Sequence, residues 1–111
     1  CVIDIPSLGM ACKAIYEIKN EFGFPCGCGA HNAVDQWVGL STKMGRQAKE
    51  ATASTAASIA VASGADFILY GPLEHAPYIF PSIAMVDAAF SQIAVERGKR
   101  PPKPHPRYKI A

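Results

Sequence analysis

The 111-residue chain has no uninterrupted run of about 18 apolar residues, the length that reads as a membrane-spanning helix. It also lacks a charged segment leading into an apolar run, the mark of a secretory signal. Charge is sparse, at 18% of residues against 50% hydrophobic, which excludes a disordered chain. Basic residues are scarce in the body: residues 1–98 carry 6 Lys or Arg against 9 Asp or Glu, a net charge of −3. A nucleic-acid binder places a basic patch on its folded face, so that class is excluded. Acid is missing from residues 99–111, which carry 5 basic residues and four prolines. This stretch reads as a solvated terminal arm or as a docking arm for a partner. No C-x-x-C pair is present among the four cysteines, so a thioredoxin-type redox site is a poor reading. The globular pattern needs no disulfide staples, and a reducing cytosol is the compartment expected.

What is present is an alternation of strand-like and helix-like segments. "CVIDIP" is a short β-branched run closed by proline and reads as a buried strand. Ser7 then reads as an N-cap, and Leu8, Ala11, Ile15, Ile18 and Phe22 step by 3 and 4 along one helix face, closed by Gly23. "FPCGCGAHN" reads as a second strand, weakened by its glycines. Much of Asp35 to Ser63 reads as helix, with breaks at Gly39 and Gly45 and a stop at Gly64. The alanines between Ala51 and Ala62 suit tight packing, and Trp37 reads as helix packing. "ADFILYG" is the clearest strand and "PLEHAP" a loop. A last helix is expected from Pro77 or Pro81 to Gly98, with Ile83, Val86, Phe90 and Ile93 as its apolar stripe.

The order β-α-β-α-β-α implies three parallel strands joined by crossover helices. Three units do not close a barrel, which needs eight strands and about 250 residues. The fold expected is therefore α/β over residues 1–98, the C-terminal portion of a larger protein, followed by the basic tail 99–111. The first residue, Cys1 rather than Met, agrees with a piece of a longer protein. Expressed alone, such a piece is expected to leave strand edges unpaired.

In parallel α/β folds, chemistry collects at the carboxyl ends of strands. The three expected ends offer Asp4; His31 with Asn32; and Glu74 with His75. A carboxylate and an amide on neighbouring ends suit a polar heterocycle, because they accept from and donate to ring nitrogens and amino groups. Each residue also has a plainer role. Asp4 reads as a helix cap, Asn32 as a turn residue, His31 as structural and Glu74 as a loop or helix-start residue. Cys26, Cys28 and His31 are ligand types that zinc accepts, but a fourth ligand is absent from the pattern. Small-residue packing is the better reading, and no metal site is assigned. The glycines around them suggest a close approach to the backbone.

"CGCGAHNAVDQW" and "DFILYGPLEHAPYIFPSIAMVDAAF" resemble the MtrH family, a component of the tetrahydromethanopterin S-methyltransferases of methanogenic and related archaea. "LYGPLE" followed by "FPSIAMVD" is the most specific part. The resemblance runs to about Arg97 and covers roughly the C-terminal third of a longer family polypeptide. It implies that residues 1–98 are the C-terminal three β/α units of a TIM (β/α)8 barrel of the pterin-binding type, shared with dihydropteroate synthase and with folate- and corrinoid-dependent methyltransferases. It further implies methyl transfer from N5-methyl-tetrahydromethanopterin to the cob(I)amide of a corrinoid subunit. That step belongs to a coenzyme M methyltransferase complex of methanogenesis that is coupled to sodium export. The implied partners are the corrinoid-carrying subunit, other subunits of a membrane-associated complex and a second copy in a homodimer. The implied location is cytoplasmic, peripheral to the membrane complex. By this resemblance Asn32 is the catalytic residue beside the pterin N5 and Asp4 holds the pterin ring; His31 and Glu74, from their places at the expected strand ends, are taken as further substrate-binding residues. A His immediately before the Asn is a local departure from the wider superfamily pattern. The 111 residues alone are expected to be inactive. A related methylamine- or folate-linked methyltransferase, or a non-catalytic piece, are the alternatives.

Overall fold

The computed structural model describes residues 1–111. Helix α1 spans Ile5–Phe22. Asp4, extended at φ −156° and ψ 178°, is its N-cap, and the Asp4 carboxylate accepts from the Ser7 N–H at 2.8 Å. The Ser7 hydroxyl oxygen accepts from the Asp4 N–H at 2.9 Å, closing a reciprocal cap. The expected cap at Ser7 is thus corrected by one turn: Pro6 lies in the first turn, and the acid before it is the better initiator. Gly23, at φ 72°, ends the helix as expected. Leu8 and Ile15 are buried, whereas Phe22 at the far end of the face is exposed.

The strand expected at "CVIDIP" is not formed. A strand needs a ladder, and the sheet consists of β1 (Gly27–Cys28) paired only with β2 (Phe67–Ile68). Val2 is buried against the core, but the Ile3 N–H goes to the Ser7 hydroxyl at 2.9 Å instead of to a neighbouring strand. The three-strand expectation becomes one parallel pair, in register Gly27↔Phe67 and Cys28↔Ile68. Both strands are also shorter than their apolar runs. Pairing ends where the β1 chain turns at Gly29–Asn32 and leaves β2 without a partner.

Between the strands lie α2 (Asn32–Asp35), α3 (Leu40–Met44) and α4 (Ala48–Ala62), broken near Gly39 and Gly45 as the sequence suggests. Gly64, at φ 108°, follows the end of α4. Ala56 and Ala60 pack into one core with Val2, Leu8, Ala30, Ala33, Val34 and Leu40. Ala53 and Ala57 meet Ile79 in a second, smaller cluster. Alanine at these positions lets α4 approach both neighbours closely, so one helix serves two clusters.

After β2 a 3-10 turn (Leu73–His75) leads into α5 (Ala76–Glu96). The helix begins at the earlier of the two expected places, with Pro77 in its first turn and Pro81 inside it. Its buried positions are Ile79, Ala88 and Ser91, and of the expected stripe Phe90 and Ile93 stay about half exposed. Leu73–Glu96 is long and apolar enough to cross a membrane by length and composition, although its apolar run is not unbroken. Ser82, Asp87, Ser91 and Gln92 interrupt the run, and the helix packs against α4. The tail is not a free arm. Its last helix, α6 (Arg107–Ile110), lies against α5, and Arg107 donates to Ser91 Oγ at 3.0 Å and to Gln92 Oε1 at 2.9 Å.

Candidate functional site

The parallel pair sets the geometry. β1 and β2 point the same way, so the residues following Cys28 and Ile68 emerge at one end of the sheet. At β1 the chain turns immediately: the Asn32 N–H donates to the Gly29 carbonyl at 3.1 Å, and Val34 and Asp35 both donate to the His31 carbonyl. Ala30, Ala33 and Val34 are buried and anchor this turn in the core. His31 and Asn32, half-buried, are therefore carried on a fixed backbone.

His31 Nδ1 lies 2.9 Å from the Leu69 carbonyl oxygen at the end of β2. A carbonyl only accepts, so Nδ1 carries the proton, and in the neutral ring Nε2 holds the lone pair. Asn32 folds back over Gly29: a methyl group there would lie 3.4 Å from Asn32 Nδ2 and 3.7 Å from His31 Cε1. These are ordinary contact distances, so both side chains lie against Gly29 without requiring a glycine there.

Glu74 stands apart from that pair. It lines a polar cleft of about 710 Å³ with Arg46, Lys49, Glu50, His75 and Tyr78, between the start of α4 and the 3-10 turn. The Tyr78 phenol is pushed up from its ordinary value by burial, then by the Glu50 and Asp35 carboxylates. Its ring lies 5.0 Å from that of His75. Arg46, Lys49 and Tyr78 were not singled out from sequence. Arg46 and Lys49 lie within one turn of each other at the start of α4, and Tyr78 reaches them from α5, which packs against α4.

Asp4 caps α1. The Ser7 side chain and backbone N–H hold its carboxyl below the ordinary carboxylate value. One of its oxygens is committed to Ser7, so its plainer role is realised while the second oxygen remains open. The structure thus brings His31 and Asn32 together, and Glu74 with a set of new neighbours.

Cys26, Cys28 and His31 do not form a ligand cluster, and no three His, Cys, Asp or Glu groups do. The Cys28 thiol is pushed up by burial and then by nearby Cys12, and both pack against the main core. Asp66, just before β2, was also missed from sequence. It accepts from Lys19 at 2.6 Å and from the Cys26 N–H at 2.9 Å, tying α1 to both strands. Those contacts hold its carboxyl below the ordinary value, the Lys19 hydrogen bond most of all.

Residues 1–101 match the family model of the tetrahydromethanopterin S-methyltransferase MtrH subunit. The chain belongs to this family. It is 38% identical over 100 residues to the putative methyltransferase mtx H-subunit of Methanosarcina barkeri, a match covering 88% of this chain and 32% of the relative. It is 34% identical over 104 residues to the tetrahydromethanopterin S-methyltransferase H-subunit of Methanothermobacter thermautotrophicus, covering 92% and 34%. Against the corresponding H-subunit of Methanocaldococcus jannaschii it is 34% identical over 114 residues, covering 92% and 35%. The chain spans about a third of the length of the curated relatives it matches. The resemblance read from "LYGPLE" and "GAHNA" is upheld, and the family match ends inside the tail.

Proposed function

We propose that this chain is the C-terminal part of a pterin-dependent methyltransferase subunit. In its complete polypeptide it serves transfer of a methyl group from N5-methyl-tetrahydromethanopterin to the cobamide of a corrinoid partner subunit. Membership of the MtrH family carries this reading. The parallel β1–β2 pair, with polar residues just past its carboxyl ends, agrees with the closing units of a pterin-binding barrel. Exposed Phe67, Leu69 and Phe80 beside β2 agree with further units covering this face. The wider reading is a coenzyme M methyltransferase complex, peripheral to the membrane on the cytoplasmic side.

A methyl group on a tertiary amine transfers poorly because the amine is a reluctant leaving group. As the C–N5 bond breaks, the electron pair stays on N5 and needs a proton or a hydrogen bond. The cobamide, when present on the partner, supplies the nucleophile that accepts the methyl. This chain's share is to hold the pterin and polarise N5. The Asn32 amide can donate to N5 or orient a proton source without carrying charge. The open oxygen of Asp4 can accept from the amino-pyrimidone edge of the pterin. Glu74, in its cleft, suits a more distant polar part of the substrate.

The mtx relative, 38% identical, is named a methyltransferase with no pterin specified, which supports a second reading, a related methyltransferase that uses another methyl donor or a tetrahydrofolate. The complete polypeptide, given cob(I)alamin as acceptor, separates the two. Demethylation of N5-methyl-tetrahydromethanopterin in preference to N5-methyl-tetrahydrofolate is the expected result. Turnover of the folate alone, or of a methylamine when neither pterin serves, favours the second reading, and a folded protein that turns over none of the three removes both.

A further inference from the structure

We infer that His31 is a positioning residue whose Nδ1–H locks the end of β1 to the end of β2 and thereby sets the place of Asn32. The inference deepens the proposed site and rests on that reading for its link to catalysis. The Leu69 peptide is held at both of its polar groups. Its N–H donates to the Cys28 carbonyl at 3.0 Å, and its carbonyl accepts from His31 Nδ1 at 2.9 Å. No backbone N–H reaches that carbonyl, so the imidazole takes the place of the next ladder bond after the β1 chain has turned away.

The bond spans 38 residues of sequence and joins the only two paired strands at the end where the polar residues emerge. Asn32 follows His31 directly and is the first residue of α2, and the His31 carbonyl accepts the N–H groups of Val34 and Asp35. Loss of the ring bond therefore removes one of the two ties on the first turn of α2 and the amide it carries, the burial of Ala33 and Val34 being the other. The His31 ring and the Asn32 amide both lie beside Gly29, within 4 Å of the place a Cβ there would take. A histidine bound through Nδ1 to a main-chain carbonyl is a spacer of fixed length here, and its Nε2 is not required to touch substrate.

The two ring nitrogens give the test its resolution. Asn places an amide nitrogen where His has Nδ1, and Gln places one where His has Nε2. In the complete polypeptide, with N5-methyl-tetrahydromethanopterin and cob(I)alamin, His31→Ala and His31→Gln are expected to slow single-turnover methyl transfer by about tenfold or more, the scale of a misplaced reacting group. His31→Asn is expected to recover the rate to within about threefold. The pH profile of His31→Asn should match that of the wild type. Hydrogen exchange at Ala33 and Val34 should quicken in the Ala and Gln variants but not in Asn. This second readout needs no activity, and it holds even if Asn32 proves to have no role in the chemistry. Rescue by Gln instead of Asn, or loss of a pH-dependent limb in His31→Asn, overturns the inference and makes His31 a direct substrate or proton-transfer group. Unchanged exchange in all three variants overturns it as well.

Discussion

The ends of β1 and β2 start alike, as two-residue parallel strands, and part within three residues. After β1, Ala30, Ala33 and Val34 are each buried to 4% exposure or less, and the chain turns straight into a helix. After β2, Leu69 is 62% and Leu73 81% exposed, and the chain runs through Gly71 and Pro72 before a short 3-10 turn. The first end is fixed by apolar burial and by the His31 bond. The second carries its polar residues out to a wide cleft. Small apolar residues straight after a strand pin the backbone, so the side chains between them are held to defined places. Asn32 sits in the first kind of setting and Glu74 in the second, which suits the roles proposed for them, chemistry for one and binding for the other.

The largest expected effect comes from breaking the pair that both ends depend on. A Cβ on Gly27 would run into the Phe67 carbonyl oxygen and lie 2.6 Å from its ring. Backbone cannot yield as a flexible side chain does. Gly27→Val is expected to destabilise the complete polypeptide by about 3 kcal/mol or more, or to prevent folding. Thermal unfolding and soluble yield measure it, and a wild-type Tm would contradict the register of the pair.

A smaller effect is expected at Asp66, which ties β1 to α1 ahead of both strand ends. Its folded carboxyl lies below the ordinary value of 3.8, so its pairing with Lys19 contributes fully above that value. The contribution is lost as pH falls through the lower folded value. Asp4 is shifted the same way and adds to the same acid limb. Asp66→Asn should lower Tm at neutral pH and low salt and flatten part of the fall in Tm below about pH 4. An unchanged acid limb in the variant would show that the pairing contributes nothing.

The comparison also predicts a near-silent change. Gly71, at the loose end, has no atom within 4 Å of the place a Cβ would take, and its φ is not positive. Gly71→Ala should shift stability by no more than about 0.5 kcal/mol. A larger loss in chemical denaturation would mean that the β2 end is as constrained as the β1 end.

Much of this was legible in the sequence, for local reasons. Caps, helix faces and glycine stops are encoded within a few residues, so α1, the breaks at Gly39 and Gly45, and the end at Gly64 were readable. Strand pairing is not local. "CVIDIP" has strand-like residues but no ladder partner among these 111, and it became an extended entry to α1. The tail looked solvated because its composition is polar and proline-rich. Arg107 nonetheless finds Ser91 and Gln92 on α5, a pairing that no local pattern announces. At the candidate site, the adjacency of His31 and Asn32 was visible because it is sequential. The reach of His31 to Leu69, and the meeting of Glu74 with Arg46 and Lys49, depend on the crossover between the strands.

The central claim is that the fixed end of β1 carries the group acting on the pterin N5. Single-turnover methyl transfer from N5-methyl-tetrahydromethanopterin to cob(I)alamin, in the complete polypeptide bearing Asn32→Ala, tests it most directly. The expected rate is roughly 10²-fold below wild type, with pterin affinity reduced far less. A correctly folded Asn32→Ala protein that transfers the methyl group at the wild-type rate would contradict it.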